Sequence, residues 1–175
     1  MESVASFSTI KAGKAYVVKV SNLRMDGTAI AFHVDSGASV SLLGVNSFCD
    51  EEDTESYTCL KKIIEEEIQK GCFESLKSSG LTATDQEIDM YPCKRSGVSI
   101  ADTKPFTLYF HIYLGNISMP LLGFDYLDDT SYHHSIGENL VINGVADEAG
   151  KRFYPDKVID FDKILQSFQK SMFCG

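Results

Sequence analysis

With 175 residues, 43% of them hydrophobic, the chain can bury one substantial core but falls short of two comfortable domains, so a single domain over 1–175 is expected. Its 25 acidic and 16 basic side chains give a formal charge of −9, which repels phosphate backbones and anionic lipid and excludes nucleic acid and membrane surfaces as natural partners. No run of ~18 apolar residues is present, Met1 to Tyr16 lacks the pattern of a secretion leader, and the five cysteines are odd in number, scattered and without a CxxC, so a reducing, cytoplasmic setting is expected, with neither a disulfide framework nor a zinc ribbon.

Ala15 to Val20 and Thr28 to Val34 are rich in β-branched and aromatic residues, and Asp26-Gly27 between them is a turn signal, so the two runs read as a hairpin. Within the second run, Ile30, Phe32 and Val34 alternate with Ala29, Ala31 and His33, the period of a strand with one face on a core. It leads straight into Asp35-Ser36-Gly37, and Ser39 to Leu43 continues as a short extended stretch. Acidic residues then gather from Asp50 to Glu55, ahead of Tyr57, Leu60, Ile63, Ile64 and Ile68 at spacings of three and four. This is an amphipathic helix running to about Gly71, its positive dipole end stabilised by the acids.

Leu81 to Val98, with Pro92 and Gly97 as breakers, reads as one hairpin plus a connection. Phe106 to Leu114 is the clearest strand, with bulky residues on both faces. The apolar run Met119 to Leu127 ends in a short helix. Leu140 to Val145 and Lys151 to Tyr154 read as strands around a polar turn, and Val158 to Phe173 as a terminal helix.

The chemistry concentrates at Phe32-His33-Val34-Asp35-Ser36-Gly37-Ala38-Ser39-Val40. An aspartate at the end of an apolar strand costs free energy unless its carboxylate is used, and a glycine two residues on suits the tight turn that presents it. Taken alone, Asp-Ser-Gly also fits an ordinary capped turn. Together with the Ala-Ser-Val-Ser-Leu-Leu continuation and the downstream Pro-Leu-Leu-Gly-Phe-Asp-Tyr-Leu of 120–127, the segment resembles the retropepsin-like (retroviral-type) aspartic proteases, over about residues 15–127.

The resemblance implies a mainly β fold, a closed β-barrel forming half of an acid protease, with the amphipathic helix as an insertion, a C-terminal helix, and residues 140–175 as an extension matching no family element. Asp35 takes the place of the catalytic aspartate, Ser36 of the hydroxyl bracing the catalytic loops, and Gly37 and Ala38 of the residues lining the substrate backbone. The flap, a hairpin closing over substrate, falls within Thr82 to Cys93, with Thr84, Asp85, Gln86 and Glu87 at its tip. Two positions depart from the family pattern: the flap tip has no glycine, and Phe124 stands where many members carry arginine.

Peptide hydrolysis by this chemistry needs two carboxylates about 3 Å apart sharing a proton, and one chain supplies one, so the resemblance implies a homodimer acting on a protein or peptide substrate. Asp125 is the intrachain alternative, which the family pattern places in a structural helix. A catalytically silent module that dimerises or binds extended peptides is the competing reading. No cofactor and no metal are expected: His133-His134 with His111 form neither an HExxH nor a compact ligand set and read as exposed loop and strand histidines. Cys49 and Cys93 read as small buried hydrophobes.

Overall fold

The structure, a computed structural model, describes residues 3–174 except 9, 13–14, 82–84, 101–103, 135–139 and 146. In chain order the first strands are β1 (Ser3–Ser8), β2 (Ile10–Ala12), β3 (Ala15–Ser21), β4 (Ile30–Val34), β5 (Leu42–Gly44) and β6 (Ser78–Leu81). They are followed by β7 (Glu87–Ile100), β8 (Phe106–Tyr113), β9 (Leu121–Leu122), β10 (Ser131–His134), β11 (Leu140–Val145) and β12 (Ile159–Asp160). The helices are α1 (Thr54–Lys70), α2 (Phe124–Leu127) and α3 (Phe161–Cys174). The chain is therefore mainly β with few helices.

The main sheet is mixed and runs β12-β7-β8-β5-β9-β4-β3-β2, with β6 on the flank of β7, while β1-β11-β10 form a separate three-stranded sheet. β4 with β9, β5 with β8 and β12 with β7 are parallel. β3 also meets the far end of β7, Val20 opposite Ile100 and Ser21 opposite Ser99, so the pairings run from β7 through β8, β5, β9, β4 and β3 back to β7.

The β3–β4 hairpin turns where the sequence signals it. Gly27 takes a positive φ of 80°, which favours glycine, and Asp26 Oδ1 accepts the Thr28 amide at 2.9 Å and its hydroxyl at 2.7 Å. Phe32 points from β4 into the core and is fully buried. Phe48 stacks on Phe161 of α3 with centroids 4.1 Å apart, and Phe161 stands edge-on to Phe110 of β8 at 5.9 Å. These aromatics hold α3 to the sheet, each burying enough apolar surface to contribute about 2–3 kcal/mol.

α1 begins where the acidic run ends: Asp53 caps it by accepting the Ser56 amide at 3.3 Å. Leu60, Ile64 and Ile68 form its buried stripe, and Gly71 closes it. α1 lies against α3, and Lys157 reinforces the contact by donating to the Gly71 carbonyl while its ammonium sits 4.8 Å over the Phe73 ring.

Two sequence expectations need correction. Pro92 and Gly97 do not break the chain; both lie inside the 14-residue strand β7. Pro92 pairs with His111 of β8, and His111 turns its N–H toward the Ser41 carbonyl on the other side. Pro92 therefore sits in a non-hydrogen-bonded pair, and its missing donor faces the opposite flank, in the gap between the β6 pairing, which ends at Met90, and the β12 pairing, which begins at Cys93. Gly97, with φ of 70°, absorbs the extra residue of a bulge where the register shifts between Arg95 and Val98. The second correction is Lys151 to Tyr154: 151–153 form a single 3-10 turn that enters from Gly150 at φ 90°, a positive-φ start that no strand reading accommodates.

Candidate active site

Asp35 sits where three short strands interlock. β9 enters between β4 and β5, parallel to the first and antiparallel to the second, with Leu121 opposite both His33 and Leu42. The His33 amide donates to the Pro120 carbonyl at 2.8 Å and the Asp35 amide to the Leu122 carbonyl at 2.9 Å. β9 thus holds β4 up to the aspartate itself. Beyond it the chain turns at once: the Ala38 amide donates to the Asp35 carbonyl at 3.2 Å, and the Gly37 amide to Asp35 Oδ1 at 2.9 Å.

The far side of this loop is held by the segment after β9. The Phe124 amide donates to the Ala38 carbonyl at 2.8 Å. A Cβ on Gly123 would lie 2.5 Å from the Val40 carbonyl oxygen and 2.9 Å from that of Ala38, so the close approach of the two backbones requires glycine here. The spacing of Leu-Leu-Gly to the aspartate loop is thereby a packing constraint. Asp35, Ser36 and Gly37 are exposed and Ala38 is half-buried, so a carboxylate fixed at the backbone is presented outward.

Asp125 is the opposite case. It is fully buried in α2, and its Oδ2 accepts the Ser41 amide at 3.0 Å and the Tyr154 hydroxyl. Its Oδ1 accepts the Ser41 hydroxyl and the Tyr126 amide, both at 2.8 Å. The Ser41 oxygen in turn accepts the Gly123 amide at 3.0 Å. Burial pushes the Asp125 carboxyl above its usual range, against the opposing pull of these donors. Asp125 therefore ties Ser41, just beyond the Asp35 loop, to α2 and Tyr154, and does not face solvent.

Ser41 is the hub, since its carbonyl also accepts the His111 amide at 2.8 Å. His111 is buried, contrary to the expectation of an exposed strand histidine: it is 5% exposed, its ring centroid lies 4.9 Å from that of Tyr154, and its Nδ1 has no hydrogen-bond partner. Burial lowers its pKa to about 4. Ser41 and Tyr154 were not singled out by the sequence reading. The available signal for Ser41 was a lone hydroxyl in the apolar run Val40 to Leu43; Tyr154 is distant in sequence and carries none.

Across the segment where the flap is expected, β6 and β7 pair antiparallel, with Ser78 opposite Met90 and Leu81 opposite Glu87. Of the tip residues, Thr84 lies outside the described residues, Asp85 takes a positive φ of 62°, and Gln86 and Glu87 are exposed. Leu81 at this end is 71% exposed. A shallow depression lined by Glu87, Ile88, Asp89, Tyr91, Tyr113 and Leu114 runs along the first half of β7 beside the end of β8 and does not include Asp35. Among the described residues no group of three or more His, Cys, Asp or Glu is placed to hold a metal ion, and no helix is long and apolar enough to cross a membrane. Cys93 is fully buried with its thiol pushed well up by desolvation, and Cys49 is buried too.

No family model matches the chain, and no curated protein does. Among solved structures it is similar to the crystal structure of a retropepsin-like aspartic protease from Rickettsia conorii, at 18% identity and a TM-score of 0.45, over 83% of this chain and 97% of that one. At that identity, function has to be read from the side chains described above.

Proposed function

We propose that the chain is an aspartic endopeptidase that works as a homodimer, each copy contributing Asp35 to one site. The observation that carries this reading is Asp35 itself: an exposed carboxylate at the end of a packed strand, its backbone tied to β9 and its loop clamped by Gly123, Phe124 and the buried Asp125. The exposed carboxylate carries no burial cost, so what singles it out is a loop fixed from both sides by packed backbone, the preorganisation a working group needs. The circuit of pairings from β7 to β3 and back supports the closed barrel of an acid-protease half.

Two Asp35 carboxylates brought to about 3 Å cannot both ionise, so they hold one proton between them. The ionised one takes a proton from water as the water oxygen attacks the scissile carbonyl carbon, and the protonated one gives its proton to the carbonyl oxygen. As the resulting tetrahedral diol collapses and the C–N bond breaks, the carboxyl that took the water proton gives it to the nitrogen. The other carboxylate takes one from a diol hydroxyl, which restores the shared proton. Ser36 braces the paired loops, Gly37 and Ala38 line the peptide backbone, and the β6–β7 hairpin closes over the peptide.

The test is cleavage of a mixed peptide library between pH 4 and 7 by wild type and by Asp35→Asn. The proposal expects cleavage from wild type and none from a variant that remains folded and dimeric. The glycine-free tip with Asp85 at positive φ favours a second reading, a silent module that binds extended peptide by strand addition; peptide binding without cleavage by wild type would select it.

A further inference from the structure

One stretch of strand edge in the main sheet is left open. Pro92 and His111 form a non-hydrogen-bonded pair, so the backbone groups of Met90 and Ile88 face the β6 flank of β7 and those of Tyr91, Asp89 and Glu87 face the β8 flank. β8 ends at Tyr113, opposite Met90. The chain then leaves β7, and the Gly115 carbonyl accepts the Val45 amide at 2.9 Å. Among the described residues no strand continues along this flank, so the N–H and C=O groups of Glu87 and Asp89 form an unpaired edge. The depression bounded by Glu87 to Asp89 on one side and by Tyr113 and Leu114 on the other lies along it. Its volume is about 400 Å³, within the range of ligand clefts, about 300–1,000 Å³.

Charge selects what the edge can accept. Glu87 is exposed and has no ion-pair partner among the described residues. Asp89 shares Lys77, at 3.4 Å, with Glu74, at 2.6 Å, and Glu74 also accepts the Tyr91 hydroxyl at 3.0 Å. Three carboxylates therefore stand against one ammonium. A second copy of the same acidic edge is repelled, whereas a cationic strand is attracted. A strand taking up the line of β8, antiparallel to β7, would set alternate residues directly opposite Glu87 and Asp89 and on the same face, where opposite charges pair favourably. We propose that this edge takes an extended peptide with lysine or arginine at alternate positions, added to the sheet beside β7. The depression does not include Asp35, and the inference stands whether or not Asp35 is catalytic.

The test uses the full-length Asp35→Asn chain, so that Asp35 cannot consume the probe, and a fluorescent peptide of alternating lysine and valine. Binding is read by anisotropy and its place by hydrogen exchange of individual amides. Saturable binding that slows exchange at Glu87 and Asp89 is expected. In the antiparallel register the lysine N–H groups face β7, so N-methylation of the lysines should weaken binding about tenfold or more, while N-methylation of the valines leaves it within about twofold. These comparisons use one protein, so no folding defect can intrude. Glu87→Gln with Asp89→Asn, both exposed positions, should also weaken binding about tenfold. No binding, equal affinity for the two N-methylated peptides, unchanged affinity in the double variant, or protection at the Asp35 loop in place of Glu87 and Asp89 would each overturn the inference. Cleavage by wild type, or its absence, bears on the Asp35 site alone, so the two proposals fail separately.

Discussion

Asp125→Ala is the perturbation whose outcome the structure specifies most closely. Removing the carboxylate strips the acceptor from four donors: the Ser41 amide and hydroxyl, the Tyr126 amide and the Tyr154 hydroxyl. The two hydroxyls can rotate toward other acceptors, but the two amides are fixed by the backbone. Each buried donor left unpaired costs about 1–3 kcal/mol, and relief of the desolvation borne by the carboxylate offsets part of that, so a net loss of about 3–5 kcal/mol is expected. Asp125→Asn keeps the acceptor at Oδ1 and sets an N–H against the Ser41 amide, which leaves one orphaned donor and a loss of about 1–3 kcal/mol. Urea unfolding of the three proteins at pH 7 measures both differences. An Asp125→Ala protein within about 1 kcal/mol of wild type would refute the view that this carboxylate holds the Asp35 loop.

Three further outcomes follow from the same region. His111 is depressed to about 4 from 6.5, so the unfolded chain binds its proton first: stability is full above about 6.5, falls as pH drops toward 4 and then levels, a change of about 3 kcal/mol. His111→Leu should flatten urea midpoints across that window, while an undiminished slope would contradict the assignment; Asp125, raised in the fold, contributes with the opposite sign, favouring the native state as pH falls through its folded value. Gly123→Ala must displace backbone by placing a carbon 2.5 Å from the Val40 carbonyl oxygen, so a loss of about 1–3 kcal/mol together with reduced peptide cleavage is expected. Gly97→Ala meets open space but keeps φ at 70°, so it should cost about 1 kcal/mol in thermal unfolding and leave cleavage unchanged.

The sequence was most legible where local pattern and tertiary packing agree. The alternation in Ile30 to Val34 and Phe106 to Leu114, the turn at Asp26-Gly27 and the capped stripe from Tyr57 to Ile68 all appear in the fold at their expected places. Pro92 and Gly97 misled because their roles depend on neighbours: the proline is tolerated in the gap between two flanking strands, and the glycine serves a bulge. The Phe153-Tyr154 pair suggested a strand over Lys151 to Tyr154, yet its course is set by the turn from Gly150 and by the Tyr154 hydroxyl reaching Asp125. The support of the site, Ser41, His111 and Tyr154 around Asp125, was invisible for the same reason, since separations of 84 and 29 residues leave no local periodicity. The turn after Asp35 was legible because it is local, and the segment that packs on it because residues 120–127 form one compact run.

The central claim, that one site is built from two Asp35 carboxylates, is tested most directly by mixing. Wild type and Asp35→Asn are combined at fixed total protein, allowed to exchange subunits, and assayed for peptide cleavage. If both copies are required, activity falls as the square of the wild-type fraction, to about a quarter in an equal mixture. A linear fall, to about half, would show that a single chain carries a complete site and would contradict the account.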